Sequence, residues 1–249
     1  MQVSRICRFP VKGLGADDLD RVAVTAGRTL PDDRRFALSI GAAPPAPAGE
    51  WQAKSNFVNL AKHEKLGALE THYEAATCTL TISRMGKQVS RGQLSDPLGR
   101  AMVEDFFSAY LGKAVPAKPR IIESSAASAL TDMEPPYLSL INMASVRDLE
   151  RIAGATIDPL RFRGNIYFES DSPWCEFDMI GQEIAIGLTR LRIDERIERC
   201  AATSVDPETG IRDRNVPKLL KQGFGHIDMG VYATVTHGGD IAIGDAVTT

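Results

Sequence analysis

No apolar run in this chain approaches the roughly 18 residues needed to cross a bilayer, which excludes a helical membrane span. The opening residues, Met-Gln-Val-Ser-Arg-Ile-Cys-Arg-Phe-Pro, lack the apolar core of a signal peptide. None of the cysteines (Cys7, Cys78, Cys175, Cys200) stands in a Cys-x-x-Cys pair, which argues against a zinc ribbon or a thioredoxin-like redox site. His63, His72, His226 and His237 show no helical zinc-binding spacing, so a zinc centre built from protein ligands alone is not expected. A strong charge of one sign is also missing. The formal net charge is -3, which argues against a general nucleic-acid binder while leaving room for a local basic pocket. These absences lead to the expectation of a cytoplasmic protein with no membrane or nucleic-acid partner, its thiols free in a reducing compartment.

What is present suits a sizeable core: 249 residues, 43% of them hydrophobic, suffice for one large domain or two modest ones. Alternation with a period of two predicts strands at Arg21–Thr25 and Thr79–Ser83. The second continues through Arg84-Met-Gly-Lys87 into Gln88–Ser90, a hairpin pattern. Arg34–Ile40 is another expected strand, ending at Gly41 before a proline-rich loop, Ala42–Gly49. Asp96-Pro97 reads as an N-cap followed by proline at the first helical position. Leu98, Met102, Phe106 and Tyr110 then recur every four residues, a core-facing stripe that stops at Gly112. Lys113–Pro119 is a proline-containing connector, placing a domain boundary between residues 1–115 and 119–249.

In the second half, Ser145-Val-Arg-Asp148 resembles a capping box opening a short helix to Gly154. Strands are expected at Asn165–Glu169, Glu183–Ile186, Leu191–Ile193 and Val231–Thr236, with a helical turn or two at Pro217–Lys221. Nothing repeats as the βαβ units of a doubly wound sheet would. The expected class is mainly β with several helices, a β-rich α+β protein.

The most informative string is Arg199-Cys200-Ala-Ala-Thr203-Ser-Val-Asp206-Pro-Glu-Thr-Gly210. A soft thiolate there suits a transition metal or sulfur transfer, although a free cysteine is also commonly a small buried hydrophobe. Five further segments accompany it: Phe9-Pro-Val-Lys12-Gly13, Asp32-Asp-Arg34-Arg-Phe36, Arg161-Phe-Arg163-Gly-Asn165-Ile166, and the glycine-bearing stretches Gly223–Tyr232 and Gly239–Asp245.

Together these segments resemble MOSC-domain proteins carrying an associated N-terminal β-barrel domain. That family includes the mitochondrial amidoxime-reducing components and the C-terminal part of molybdenum cofactor sulfurases. The resemblance implies an N-terminal β-barrel-like domain packed on a MOSC-type β-barrel domain. It also implies a molybdenum–molybdopterin cofactor whose metal is bound by Cys200, the residue on which the chemistry centres. Lys12, Arg34, Arg163 and Asn165 align with family positions that would hold the phosphate and pterin edges. Lys54 and Ser145 are further candidates for the same pocket, and Thr203 and Asp206 for orienting the thiol-bearing loop.

Each residue has a plainer reading. Lys12 as an exposed turn residue, Arg34 as a surface partner of Asp32 or Asp33, and Arg163 as half of a solvated pair with Arg161 are the chief ones. Likewise Asn165 and Asp206 suit local turns, and Ser145 a helix N-cap. Two departures stand out: Gly13 where the reductase branch commonly has serine, and Gly164 where it has proline, expected to loosen the strand entrance. The resemblance implies reduction of N-hydroxylated compounds. Because neither an appended iron–sulfur domain nor a membrane anchor is expected, the electron donor would be a separate protein. The alternative is a non-catalytic cofactor carrier or a sulfur relay using a Cys200 persulfide.

Overall fold

A computed structural model describes residues 1–40, 51–124 and 129–249. The expected loop at Ala42–Gly49 lies outside them. Within the described residues the protein is mainly β with three α-helices.

The first half contains β1 (Gln2–Arg8), β2 (Asp17–Leu19), β3 (Arg21–Val24) and β4 (Phe36–Leu38). These are followed by β5 (Glu70–Glu74), β6 (Thr79–Arg84), β7 (Lys87–Gln93), α1 (Pro97–Leu111) and β8 (Ile121–Glu123). The second half runs β9 (Leu138–Asn142), α2 (Met143–Ala153), β10 (Ile166–Glu169), β11 (Glu183–Ile186) and β12 (Thr189–Glu198). It ends with α3 (Val216–Phe224), β13 (Asp228–His237), β14 (Gly239–Ala242) and β15 (Val247–Thr248).

One eight-stranded sheet has the order β15-β11-β12-β13-β9-β10-β1-β2. Its neighbours are antiparallel except β9 and β10, which run parallel. A bridge between Gln2 and Ala246 brings the start of β1 back beside β15, so the sheet curls round on itself. Backbone bonds from Val3 N to Asp245 O and from Val247 N to Met1 O, both 2.9 Å, reinforce that contact. The core inside includes Val3, Ile6, Leu138, Leu140, Ile193 and Val231. Strands from residues 2–24 thus pair with the C-terminal half: β1 with β10, and β3 with β14. A second core, around Phe36, Leu80 and Phe107, joins β4, the meander β5-β6-β7 and α1.

Local signals explain several elements. The hairpin β6–β7 turns at Met85 and Gly86, both at positive φ. Asp96 caps α1 by accepting the Gly99 N–H at 2.9 Å. The buried face of α1, however, is Gly99, Val103, Phe107 and Leu111, one position on from the expected stripe. Leu98 and Met102 are 71% and 51% exposed, while Phe106 and Tyr110 pack at the core's edge. Gly99 decides this: a Cβ there would meet Gln93 O at 2.2 Å, so the glycine row is the one that can press against β7.

Helix α2 also departs from expectation. Its N-cap is Asn142, whose Oδ1 accepts the Ala144 N–H at 3.0 Å. Ser145 lies inside the first turn, and Gly154 closes the helix at φ 66° as expected. Strand β12 is longer than the expected Leu191–Ile193. It alternates buried and exposed residues through Ile193, and register shifts at Arg190/Leu191, Ile193/Glu195 and Arg196/Glu198 interrupt its pairing with β13 before its end runs into Cys200.

Candidate functional site

Stretches of chain from Lys12 to Tyr232, far apart in sequence, converge on one cavity of about 560 Å³. Val11 bridges to Phe36 and the Lys12 N–H donates to Phe36 O at 2.8 Å, which turns Lys12 inward. Its side chain is buried, not an exposed turn. Lys12 Nζ donates to Leu130 O at 2.9 Å and pairs with Asp132 at 2.5 Å. Burial pushes this ammonium down, opposed by Asp132.

Arg34 and Arg163 both adopt positive φ, 48° and 51°, and both guanidinium groups lie over the Phe9 ring, at 4.5 and 4.2 Å. Arg34 pairs with Asp33, whose carboxylate also accepts the Phe9 N–H at 2.7 Å, and donates to Arg163 O at 2.8 Å. Arg163 donates to Leu14 O at 2.7 Å. Burial, then the positive charge of Arg34, push the Arg163 guanidinium below its usual range. Arg199, beside Cys200, is buried and donates to the carbonyls of Met229 (2.8 Å) and Phe162 (2.9 Å). Burial pushes it down too. Neither Arg163 nor Arg199 forms an ion pair among the described residues.

Cys200 itself is half-buried, its thiol not paired with another cysteine. Its carbonyl accepts the Thr203 hydroxyl at 2.9 Å and the Thr203 N–H at 3.1 Å, which pins the loop behind the thiol. Of the residues singled out from the sequence, Lys12, Arg34, Lys54, Arg163, Asn165, Thr203 and Cys200 line this cavity. Lys54 stands at the rim, its Nζ 3.6 Å from Asp132. Asn165 is committed internally: Oδ1 accepts the Ser139 N–H and hydroxyl at 3.1 and 2.9 Å, and Nδ2 donates to Cys7 O at 3.2 Å.

Two others do not line it. Ser145 is fully buried and turned elsewhere, donating to Glu176 Oε1 at 2.8 Å and accepting the Trp174 N–H at 2.8 Å. Its hydroxyl is therefore consumed by a buried network under α2, a correction to its expected place in the pocket. Asp206 shapes the loop instead: Oδ1 accepts the Glu208 and Thr209 N–H groups and the Thr209 hydroxyl at 3.1, 2.8 and 2.8 Å. Gly164 is not loose either. Its N–H donates to Tyr167 Oη at 3.0 Å, and a Cβ would meet Ile141 Cγ1 at 2.4 Å.

Asp132 and the stacked pair Tyr137–Tyr232 border the cavity without having been singled out from the sequence, and so does Arg161, buried where a solvated pair with Arg163 was the plainer reading. Only Arg199 carried a local signal, its place next to the cysteine. Seven basic side chains face three acidic ones around the cavity, so its field is positive although the chain is net negative. No cluster of three or more His, Cys, Asp or Glu suited to a metal occurs among the described residues, so a metal here would need most of its donors from elsewhere. No helix among them is long and apolar enough to cross a membrane.

Residues 134–248 match the MOSC domain model. Over 181 residues the chain is 24% identical to the molybdenum cofactor sulfurase of Drosophila mojavensis, covering 66% of this chain and 23% of that protein. The chain therefore spans less than a quarter of that relative's length. Among solved structures, the YuaD protein from Bacillus subtilis is similar at 12% identity and a TM-score of 0.48, over 99% of this chain and 93% of that one. YiiM from Geobacillus stearothermophilus is similar at 17% identity and a TM-score of 0.36, over 45% and 52% of the two chains.

Proposed function

We propose that this chain, whose residues 134–248 are a MOSC domain, holds a molybdenum–pterin cofactor in the Cys200 cavity and reduces N-hydroxylated compounds. The observation that carries the reading is the company Cys200 keeps. Arg163 and Arg199 bring positive charge to its cavity with no carboxylate of their own, a costly arrangement that an anionic ligand relieves. A pterin cofactor bearing a phosphate and a sulfur-coordinated metal fits that donor set: cations for the phosphate, one soft thiolate for the metal.

When bound, such a cofactor supplies redox chemistry and acceptance of an oxygen atom. The protein's part is to bind and orient. Cys200 offers the thiolate on a loop fixed by Thr203, and Lys12, Arg34 and Arg163 receive the anionic end. Arg199 anchors the strand that delivers Cys200 to its neighbours at Met229 and Phe162. Electrons would come from a separate protein, and four unpaired cysteines suit a cytoplasmic setting.

The test is the molybdenum and pterin content of protein purified from a host that makes the cofactor, beside Cys200→Ala. Near-stoichiometric metal in the parent, lost or loosened in a folded variant, is expected; no molybdenum in either would sink the reading. A second reading rests on the similarity to a molybdenum cofactor sulfurase: a carrier or relay in which Cys200 holds cofactor or a persulfide for transfer. Retained cofactor without reductive turnover under several electron donors would favour it.

A further inference from the structure

Arg161 lies where the turn Pro159–Phe162 meets the loop carrying Cys200, and its side chain is 3% exposed. Nη2 alone does the pairing. It lies 2.9 Å from Asp206 Oδ2, and 2.9 and 2.8 Å from the two oxygens of Asp213. Nε and Nη1 have almost no accessible surface on any side and no hydrogen-bond partner among the described residues. Buried N–H groups are almost always satisfied, and a guanidinium cannot escape the cost by losing its proton. Arg161 borders the same cavity as Cys200 and Thr203, so a small outward shift of the lining there lets a ligand supply the missing acceptors.

The surroundings say what kind of acceptor it is. Arg161 faces two carboxylates, and Arg214 lies 3.6 Å from one of them. Two guanidinium groups against two carboxylates leave no excess positive charge to attract an anion. The cluster of Lys12, Arg34 and Arg163 differs, because Arg163 there lacks a carboxylate partner. The two ion pairs also fix the Arg161 plane, which orients its unpaired N–H groups in advance.

We propose that Arg161 is a hydrogen-bond-donor subsite of this cavity, in which Nε–H and Nη1–H hold neutral carbonyl-type oxygen or ring nitrogen acceptors of the bound molecule. The subsite rests on the cofactor reading only for the source of the acceptor. The pterin edge of the cofactor is one source, and a carbonyl on an N-hydroxylated substrate is the other.

The experiment follows the Arg161 Nε–H resonance by NMR in ¹⁵N-labelled, cofactor-free protein, assigned by its loss in Arg161→Lys. Three probes are titrated: neopterin, hydroxyurea and inorganic phosphate. The expected result is that one neutral probe shifts the resonance and slows its exchange with water, while phosphate leaves it in place. Neopterin acting identifies the pterin edge; hydroxyurea acting identifies the substrate. Binding of the active probe should weaken about tenfold in Arg161→Lys, which keeps a positive charge for Asp206 and Asp213 but loses the planar edges. A resonance that neither neutral probe moves, or that only phosphate moves, overturns the proposal and leaves water as the partner of these donors. The parent titration decides this whatever the variant's stability. A failure of the cofactor reading shows separately, as absent molybdenum in the parent from a competent host.

Discussion

Lys12 Nζ stands 2.5 Å from Asp132 Oδ1 across 120 positions of sequence, and the same carboxylate lies 3.6 Å from Lys54 Nζ. Burial would push the Asp132 carboxyl up, but Lys12 holds it below the usual carboxylate range. An internal carboxylate therefore sits on the cation assigned above to an anionic ligand. Asp132→Asn should tighten binding of inorganic phosphate to cofactor-free protein about tenfold at low ionic strength, the gain shrinking as salt is raised. Isothermal titration reads this directly, and equal affinity in the two proteins would mean that Asp132 does not compete.

Gly67 packs directly beneath the Cys200 loop. A Cβ there would lie 2.8 Å from Asp206 O and 3.1 Å from Gly210 Cα, both backbone atoms. Backbone yields less readily than a side-chain tip, so Gly67→Ala should cost about 1–3 kcal/mol by overpacking and displace the loop. Urea unfolding gives the stability, and metal retention after dialysis gives the loop; a change in neither would show that the two segments separate freely.

Glu176 is fully buried, accepting Asn142 Nδ2 at 2.8 Å and the Ser145 hydroxyl at 2.8 and 3.0 Å. Burial pushes its carboxyl above the usual range in spite of these donors. A carboxyl raised in the folded state adds stability that is complete below the unfolded value, about 4.3, and is lost as pH rises through the folded value. Glu176→Gln keeps an acceptor for Asn142 and presents an amide to Ser145. It should exceed the parent in stability at neutral pH, the advantage fading on acidification. Denaturant midpoints across that range check it; a variant weaker at neutral pH would show that the hydrogen bonds outweigh desolvation.

On α1, truncating Phe107 should cost about 3–5 kcal/mol, because the ring is fully buried. Leu98→Ala should fall within roughly 0.5 kcal/mol of the parent, since that side chain is 71% exposed. Chemical denaturation of the two variants separates the observed buried face from the one-position-shifted stripe. Equal losses would restore the stripe suggested by periodicity.

Where a signal is local, the sequence carried it. The ends of α1 follow from Asp96-Pro97 and Gly112, and β11 falls at Glu183–Ile186 as expected, because caps, turns and alternation are settled within a few residues. The cysteine string was legible for the same reason: its turn residues are contiguous. The buried face of α1 was not, because two four-residue rows differ only in which one can approach β7. Nor was the N-cap of α2, where Ser145 lost its local role to Glu176, 31 positions away.

By itself, then, the sequence determined the β-rich class, the ends of α1 and β11, and the cysteine-bearing string as its most distinctive stretch. Tertiary structure alone decided which charges share a cavity. Lys12 meets Asp132, Arg34 meets the Arg163 carbonyl, and Arg161 meets Asp206 and Asp213 only because distant segments are brought together around the curled sheet. An electrostatic partner is set by distance through space and by exclusion of water, and neither is written in the spacing of residues along a chain.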